Sequence, residues 1–447
     1  MVRMAADSTM KQAEAYLGKF NRFEKETGQP SWLLPLRKAG LARFSEQGFP
    51  TINDEDWRFT NVAPIAKLPF KPAFEAEQNG LSAESLRHFT FGSLPAHRFV
   101  FVNGHYLSEL SPKDSYPAGV IVTNLAAALR SHADLIEKQL GRLTQAEENP
   151  FAALNTAFFQ DGIFIFVPKN IELKKPIHLL FISTGKEAGS TSHPRNLIIG
   201  EKGARFTLME TYASTVDAPH FTNAVTELIA GEGAVIEHCK TQEEAPSAFH
   251  LAAFHAHLGP GCNLISHSIA TGAKLSRNNI RTSLAGEGVE CVLNGLYLTK
   301  GEQLADHHMI VEHAQPHCQS HEYYNGILDG KSKGVFHGRI LVRKIAQKTD
   351  AKQTNKNLLL SDDATVDTKP QLEIYADDVK CTHGATIGQL NDESIFYLRS
   401  RGLGADTARR MLIHAFAGEI IERIRYAPAR EEMDKAVWDR LEANPHV

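Results

Sequence analysis

The residues in this chain best suited to chemistry are Cys381 and His383, a Cys-x-His pair that follows the strand-like run 372–375. Residues i and i+2 of a β-strand project from one face, so the thiol and the imidazole are predicted to point together. Both groups bind iron, zinc or copper, and a thiolate also carries sulfur chemistry. A closed metal site usually needs three or four protein ligands. The remaining ligands must come from elsewhere in this chain or from a second chain; otherwise the pair is structural.

The element that would position this pair is a repeat. Gly203, Gly233, Gly261 and Gly288 each end a glycine-containing turn and precede a run of alternating apolar residues, at spacings of 30, 28 and 27 residues. Such a period is typical of a solenoid, in which each repeat buries its apolar face only by stacking on its neighbours. The strand-like runs predict a mainly β fold with a β-solenoid core over residues 151–385.

Both flanks of the core have helical patterns. Residues 1–150 are predicted to be an amino-terminal region of helices and loops, and residues 386–447 a carboxy-terminal helical region. The specific expectations are an amphipathic helix through Met10, Ala13, Leu17, Phe20 and Phe23, a helix from a Ser31 cap to Gly48, a helix from Leu125 to Leu143, a stop at Gly402 and a cap at Asp406. Apolar stripes of this kind ordinarily pack against the next domain.

Composition excludes several classes. The chain has 447 residues, with 42% hydrophobic and 22% charged residues and a net charge of −4, so it lacks the basic footprint of a nucleic-acid-binding protein. We find no secretory signal and no apolar run of about 18 residues, which predicts a cytoplasmic protein. Five cysteines without a CxxC motif argue against a disulfide framework, and no Walker A loop, GxGxxG or GxSxG motif occurs.

A second cluster of ligand-type residues lies between positions 306 and 321. If the strand alternates regularly, His307, His313, His317 and His321 share one face and could bind a metal ion, as in a cupin-like metal-dependent enzyme. Stacked coils also produce ladders of similar side chains that have no ligand role. The metal-dependent enzyme therefore stays an alternative, as does a purely structural homodimer in which Cys381 and His383 are packing residues.

Three long segments resemble the SufB/SufD family of iron–sulfur cluster assembly proteins, and within it the SufD branch. These segments are GFPTINDEDWRFTNVAPI at 48–65, the run NPFAALNTAFFQDGIFIFVPKN with its continuation at 149–181, and FHGRILVRKIAQKTDAKQTNKNLLLSDDATVDTKPQLEIYADDVKC at 336–381. The sister branch, SufB, typically has Glu-His-Glu around the shared histidine and FYCMQRG in the next helix. Here Thr382 and Gly384 flank His383, and the helix is FYLRSRG.

The resemblance implies a right-handed parallel β-helix between helical ends, and a non-catalytic scaffold subunit in a complex of SufB, SufD and two copies of SufC. ATP hydrolysis belongs to SufC, and the carboxy-terminal helices are expected to bind this ATPase. His383 would supply the ligand for transient iron or an Fe–S cluster at the junction with SufB, with Cys381 beside it. The resemblance also admits a reduced flavin, no tightly bound cofactor in the isolated chain, and a homodimer when the chain is alone.

Overall fold

Two parallel sheets run the length of the molecule, and the chain passes from one to the other at every turn. The computed structural model describes residues 16, 18–69, 71–72, 79–145, 149–185 and 188–443. Sheet A has the strand order β20-β18-β16-β14-β12-β10-β8-β5-β4, and sheet B has the order β21-β19-β17-β15-β13-β11-β9-β6-β2-β3. This alternation is a parallel β-solenoid of about eight turns, so the predicted mainly β fold with helices at both ends is confirmed.

The bounds of the elements are as follows. The strands are β1 (Lys71–Pro72), β2 (His97–Val102), β3 (His105–Tyr106), β4 (Ile121–Asn124), β5 (Ile163–Val167), β6 (Ile177–Ser183), β7 (Ser190–Ser192), β8 (Arg195–Gly200), β9 (Arg205–Ser214), β10 (His220–Ala230), β11 (Val235–Glu243), β12 (Phe249–Leu258), β13 (Asn263–Ala270), β14 (Leu275–Leu284), β15 (Glu290–Thr299), β16 (Leu304–His313), β17 (Gln319–Leu328), β18 (Lys333–Val342), β19 (Asp350–Leu359), β20 (Thr365–Ile374) and β21 (Lys380–Gly388). The helices are α1 (18–27), α2 (Leu34–Gln47), α3 (Ala63–Ala66), α4 (Leu125–Ser131), α5 (Ala133–Ile136), α6 (Pro150–Phe158), α7 (Asp392–Ser400), α8 (Ala405–Ile421) and α9 (Ala427–Glu442). Short 3₁₀ turns occur at Ser31–Leu33, Glu55–Trp57, Ser85–His88 and Ser108–Leu110.

A turn position with positive φ recurs in the six coils from β9 to β19, two residues before the sheet B strand. The four predicted glycines occupy it with φ between 61° and 70°. Their amides bond the next coil, as when Gly203 N–H donates to Glu232 O at 2.8 Å, so these turns stack along one edge. The same position is filled by His317 (φ 57°) and Lys348 (φ 61°) in the later coils. The glycine pattern therefore confirms the solenoid but stops three coils before the repeat does, at β15 rather than β21.

The interior of the solenoid combines an apolar core with buried polar groups. Aromatic and aliphatic side chains form one continuous cluster that extends to Phe336, and polar residues such as Glu210 and Glu322 are buried in early and late coils alike. Tyr297 and Tyr324 each lie opposite a glycine on the neighbouring strand, which makes room for the ring. A Cβ at Gly295 would lie 2.0 Å from the Tyr324 ring, and one at Gly326 would lie 2.3 Å from the Tyr297 ring. Close packing of this kind leaves no room for a methyl group.

The amino-terminal region is joined to the solenoid by both strands and helices. β2 extends sheet B by pairing in parallel with β6. Glu227 forms a fully buried ion pair with Arg195 at 2.5 Å and accepts N–H bonds from Gly141 and Leu143. The amino-terminal region therefore shares sheet B with the core. The domain boundaries at 150 and 385 stay a prediction.

Several helix predictions need correction. Met10, Ala13 and Leu17 lie outside the described residues, while Phe20 and Phe23 are buried. Ser31 begins a 3₁₀ turn without capping α2, which ends before Gly48 as predicted. The helix expected over 125–143 breaks at His132, whose φ of −135° is not helical, and α5 is followed by turns. Gly404, rather than Asp406, is the N-cap of α8, whereas Gly402 with φ of 92° ends α7 as predicted.

The carboxy-terminal helices divide into two kinds. α8 and α9 pack on the outer face of sheet B, where buried residues such as Ile413 and Ile420 contact Leu296 and Ile327 in one cluster. Asn325 Nδ2 donates to Phe416 O at 2.9 Å, and Lys356 pairs with Glu419 at 2.7 Å. α7 has no buried residue. The tail thus docks back along the solenoid, except for the helix that follows β21 directly.

Candidate functional site

The last coil of the solenoid has open strands on both sheets. β20 pairs with β18 and β21 pairs with β19, and no further strand of the described chain covers either of them. Nearly all of β21 is exposed, in contrast to the buried strands before it. The backbone N–H and C=O groups of such an edge are ready to pair with another chain.

Cys381 and His383 lie on this terminal strand and project from the same face, as predicted. Their ladder partners are Ala351 and Gln353, which are buried residues on the inner face of β19. The two side chains therefore continue the interior of the solenoid to its open end. Among the described residues, no third His, Cys, Asp or Glu side chain joins this pair at metal-ligand spacing. Within the described chain, the pair by itself does not make a closed metal site.

The environments of the two side chains differ. Cys381 is half-buried against a small apolar cluster that includes Ile340 and Val342. Burial raises the pKa of its thiol, and the Asp350 carboxylate raises it further. His383 is exposed. The imidazole is therefore the more accessible of the two ligands. The raised pKa keeps more of the Cys381 thiol protonated, which makes it a weaker nucleophile than an ordinary cysteine.

A polar column lies beneath His383 in the two coils before it. Gln353 Nε2 donates to Glu322 Oε2 at 2.7 Å, and Gly338 leaves space for both side chains. Glu322 is fully buried, and burial raises the pKa of its carboxyl to about 7. Sequence reasoning missed Glu322 and Gln353, although each lies about one coil length, 30 or 31 residues, from the next member of the column. The repeat period was the signal that could have found them.

Exposed apolar side chains are frequent in the last coil and in the helix that follows it. Five exposed large hydrophobic residues fall within the short segment that includes β21 and α7: Ile374, Tyr375, Ile387, Phe396 and Tyr397, with exposures from 39% to 73%. Exposed apolar groups gathered in this way mark an interaction surface. We call these five residues the terminal apolar patch.

The four histidines predicted to share one face do not do so. His307 and His313 point into the solenoid, His317 lies in an exposed turn, and His321 points outward from β17. His307 stacks on the ring of Tyr297 and contacts the ring of Tyr324 at a tilt, and burial lowers its pKa to about 3. Strand β16 ends before the turn that holds His317, so alternation does not continue through it. The predicted shared face at 307–321 is therefore wrong.

Family models match the chain in two consecutive parts. The model described as "SUF system FeS cluster assembly, SufBD core domain" matches residues 181–416, and the model described as "SufBD protein N-terminal region" matches residues 10–179. The core model alone covers more than half of the chain, including the open end. The chain belongs to the SufBD family.

Relatives of the SufBD family match along nearly their whole lengths. An iron–sulfur cluster assembly SufBD family protein of Synechocystis is 35% identical, with 92% of this chain and 91% of the relative covered. The iron–sulfur cluster assembly protein SufD of Escherichia coli is 33% identical (91% and 93% covered), and that of Bacillus subtilis is 24% identical (94% and 96% covered). The resemblance to the SufD branch is confirmed.

No helix in the described part of the chain is both long and apolar enough to cross a lipid bilayer.

Proposed function

We propose that this chain is a non-catalytic scaffold subunit of a SUF complex, on which iron–sulfur clusters are assembled at a junction with SufB. Membership of the SufBD family supports the coarser role in iron–sulfur cluster assembly. The observation that carries the finer proposal is the position of His383. Its ligand-type side chain is exposed on the terminal strand β21, whose outer edge is open. A ligand set that is incomplete in one chain is suited to completion by another.

In this proposal, the edges of β20 and β21 pair with SufB, and the members of the terminal apolar patch on or next to these strands, Ile374, Tyr375 and Ile387, are buried against it. His383 supplies a neutral nitrogen ligand to iron or to the nascent cluster, and Cys381 stands beside it. Imidazole is an intermediate ligand that holds iron but releases a finished cluster more readily than a fourth thiolate. Such lability suits a protein that must pass its cargo on.

The partner ATPase, SufC, is proposed to contact the carboxy-terminal helices. α7 is the strongest candidate contact because its side chains are exposed and because it follows β21 after three residues. Movement of an ATPase bound to α7 would therefore be transmitted to the junction through the short segment between β21 and α7. ATP hydrolysis itself is assigned to SufC.

The test compares His383→Ala with His321→Ala, a matched change at a partly exposed histidine on the outer face of β17. Each variant is co-expressed with SufB and SufC in cells lacking the native copy. We expect both variants to assemble, but only His383→Ala to fail in maturing iron–sulfur enzymes. Cys381→Ser should have a milder effect, because SufB is expected to handle most incoming sulfur. Full cluster delivery by His383→Ala, or failure through unfolding, would exclude the junction role.

A further inference from the structure

A separate group of ligand-type side chains lies where the amino-terminal region meets sheet A. Potential ligand atoms of Asp56, His308 and His337 all lie within 4.8 Å of one another. His308 and His337 are direct ladder partners on β16 and β18, with ring centroids 4.2 Å apart. Asp56 comes from the 3₁₀ turn at Glu55–Trp57, roughly 250 residues earlier in the chain. The cluster is distant in sequence from Cys381 and His383 and does not include them.

The turn that carries Asp56 is held firmly against the sheet. Trp57 is buried, and the Arg277 guanidinium lies 3.8 Å from its ring centroid. Arg277 Nη1 also donates to Asp56 O at 2.7 Å. The backbone of Asp56 is thus fixed, while its exposed carboxylate faces His308 with Oδ1 3.7 Å from Nε2. This distance is too long for a hydrogen bond, so the two groups are close without being bonded.

A neighbouring amide sets the tautomer of one imidazole. His337 Nε2 donates to Gln371 Oε1 at 2.7 Å, which leaves the lone pair on Nδ1. Metal-binding histidines generally donate their other ring N–H to an oxygen in this way, because the bond orients the ring and raises ligand basicity.

The cations around the cluster are already neutralised before any metal ion is added. Three cations lie nearby, and each has its own carboxylate: Arg277 pairs with Asp306 at 2.7 Å, Lys369 with Glu55 at 2.7 Å, and Arg339 with Glu373 at 3.5 Å. The Asp56 carboxylate is additional to these three. The cluster as a whole therefore has one excess negative charge, which a divalent cation would offset.

We infer that Asp56, His308 and His337 bind one divalent first-row transition-metal ion, such as Zn²⁺ or Fe²⁺. Two nitrogens and one carboxylate are a ligand set for these ions that leaves positions open for water or another small ligand. With bonds of roughly 2.1 Å in tetrahedral geometry, bound donor atoms lie about 3.4 Å apart. Rotation of the exposed Asp56 side chain can bring its carboxylate oxygen from the present spacing, which is within 4.8 Å, to this shorter distance from the imidazole nitrogens. The bound ion would connect the amino-terminal segment to two coils of sheet A.

The experiment uses the full-length chain carrying Cys381→Ser and His383→Ala, so that metal bound at the open end does not contribute. After removal of metals with chelator, the protein is titrated with Zn²⁺ by calorimetry and with Co²⁺ by visible absorption. We expect one equivalent of each ion to bind, and Co²⁺ to give d–d bands of a low-coordinate site. Zn²⁺ should also raise the melting temperature, because it binds the folded state.

Asp56→Asn and His308→Gln, added to this background, should each weaken Zn²⁺ binding by about 10-fold or more. The matched control is His317→Gln, which removes an exposed histidine in a turn and should bind Zn²⁺ unchanged. Asp56→Asn alters an exposed side chain, so loss of binding through unfolding is checked by its melting temperature without metal. Unchanged affinity in Asp56→Asn, or no stoichiometric binding by the background protein, overturns the inference. Cluster delivery is not measured, so this result is independent of the junction proposal.

Discussion

His383 lies directly next to Gln353 in the ladder between the last two strands of sheet B, and Gln353 in turn donates to Glu322. Parallel strands are about 4.8 Å apart, so side chains on the same inner face contact one another from coil to coil. The exposed histidine therefore rests on a buried hydrogen bond. This arrangement makes the stability of the interior measurable separately from the chemistry at the open end.

The first prediction concerns Gln353→Leu. This change removes the donor to Glu322 and leaves a buried carboxyl without its partner, so we expect the free energy of unfolding to fall by about 1 to 3 kcal/mol. The double variant Glu322→Leu/Gln353→Leu removes both polar groups and should be more stable than Gln353→Leu alone. Urea unfolding of the four proteins in this cycle provides the measurement. A double variant whose stability loss is the sum of the single losses would contradict the pairing.

The second prediction concerns the pH dependence introduced by Glu322. Its pKa is raised from 4.5 to about 7, so the folded state holds the proton more tightly than the unfolded state does. The stability from this group is complete below pH 4.5 and is lost as the pH rises through 7. Glu322→Gln, which stays neutral, should be more stable than the parent by about 2 to 3 kcal/mol at pH 8.

The difference in the free energy of unfolding between Glu322→Gln and the parent should shrink toward zero near pH 4.5. Glu302→Gln, at an exposed turn, is the matched control and should change stability little at either pH. An advantage of Glu322→Gln that is equal at both pH values would show that the parent carboxyl does not titrate as described.

The third prediction concerns acid. Burial lowers the pKa of His178, His193 and His307 to about 3 and that of His313 to about 4. The unfolded chain protonates its histidines near pH 6.5, so stability is complete above that pH and falls as the pH drops below it. Each histidine contributes a slope of up to about 1.4 kcal/mol per pH unit. Unfolding midpoints in urea between pH 7 and pH 5 should show this loss.

His307→Phe isolates one part of the acid effect. Neither ring nitrogen of His307 has a hydrogen-bond partner in the described part of the chain, and its ring stacks on Tyr297 and contacts Tyr324 at a tilt. Phenylalanine should keep the stacking and reduce the slope below pH 6.5 by the share of one histidine. His317→Asn, at an exposed position, should leave the slope unchanged. Equal slopes in His307→Phe and the parent would refute the assignment.

The fourth prediction uses two strand glycines in contrasting environments, one buried and one exposed. Gly295→Ala places a methyl group 2.0 Å from the Tyr324 ring, and overpacking of this kind costs about 1 to 3 kcal/mol. Gly384→Ala adds the same methyl group where no atom lies within 4 Å, so it should leave stability nearly unchanged. Thermal melting of both variants makes the comparison. Equal melting temperatures would mean that the tyrosine and glycine do not share this space.

The fifth prediction concerns α7. Deleting the whole tail is an unsuitable test, because α8 and α9 cover apolar residues of sheet B. Phe396→Ser and Tyr397→Ser change only exposed side chains, and the pair should weaken SufC binding at least 10-fold while the melting temperature is kept. Ile52→Ser, which is 55% exposed at the other end of the chain, is the control. Unaltered SufC binding by the double variant would move the contact away from α7.

The sequence supported the repeat and the shared face of Cys381 and His383, because both depend on spacing within one coil. Four glycines marked the turns, but His317 and Lys348 adopt the same positive φ, so the pattern could not show where the coils end. Glu322 and Gln353 were missed because stacking brings together residues one full period apart. Asp56 was beyond such reasoning, since only the folded contact with Arg277 and Trp57 brings it to His308.

The uncovered last coil, formed by β20 and β21, has a consequence for the protein before it binds a partner. Natural sheets avoid aggregation by shielding their edges with charges, prolines, bulges or covering segments. In the part of the chain that the structure describes, α8 and α9 lie along the side of the solenoid and leave its end uncovered. A second copy of the chain could add to this end in place of the proposed partner SufB. Synthesis of this chain in excess over that partner should therefore favour end-to-end self-association.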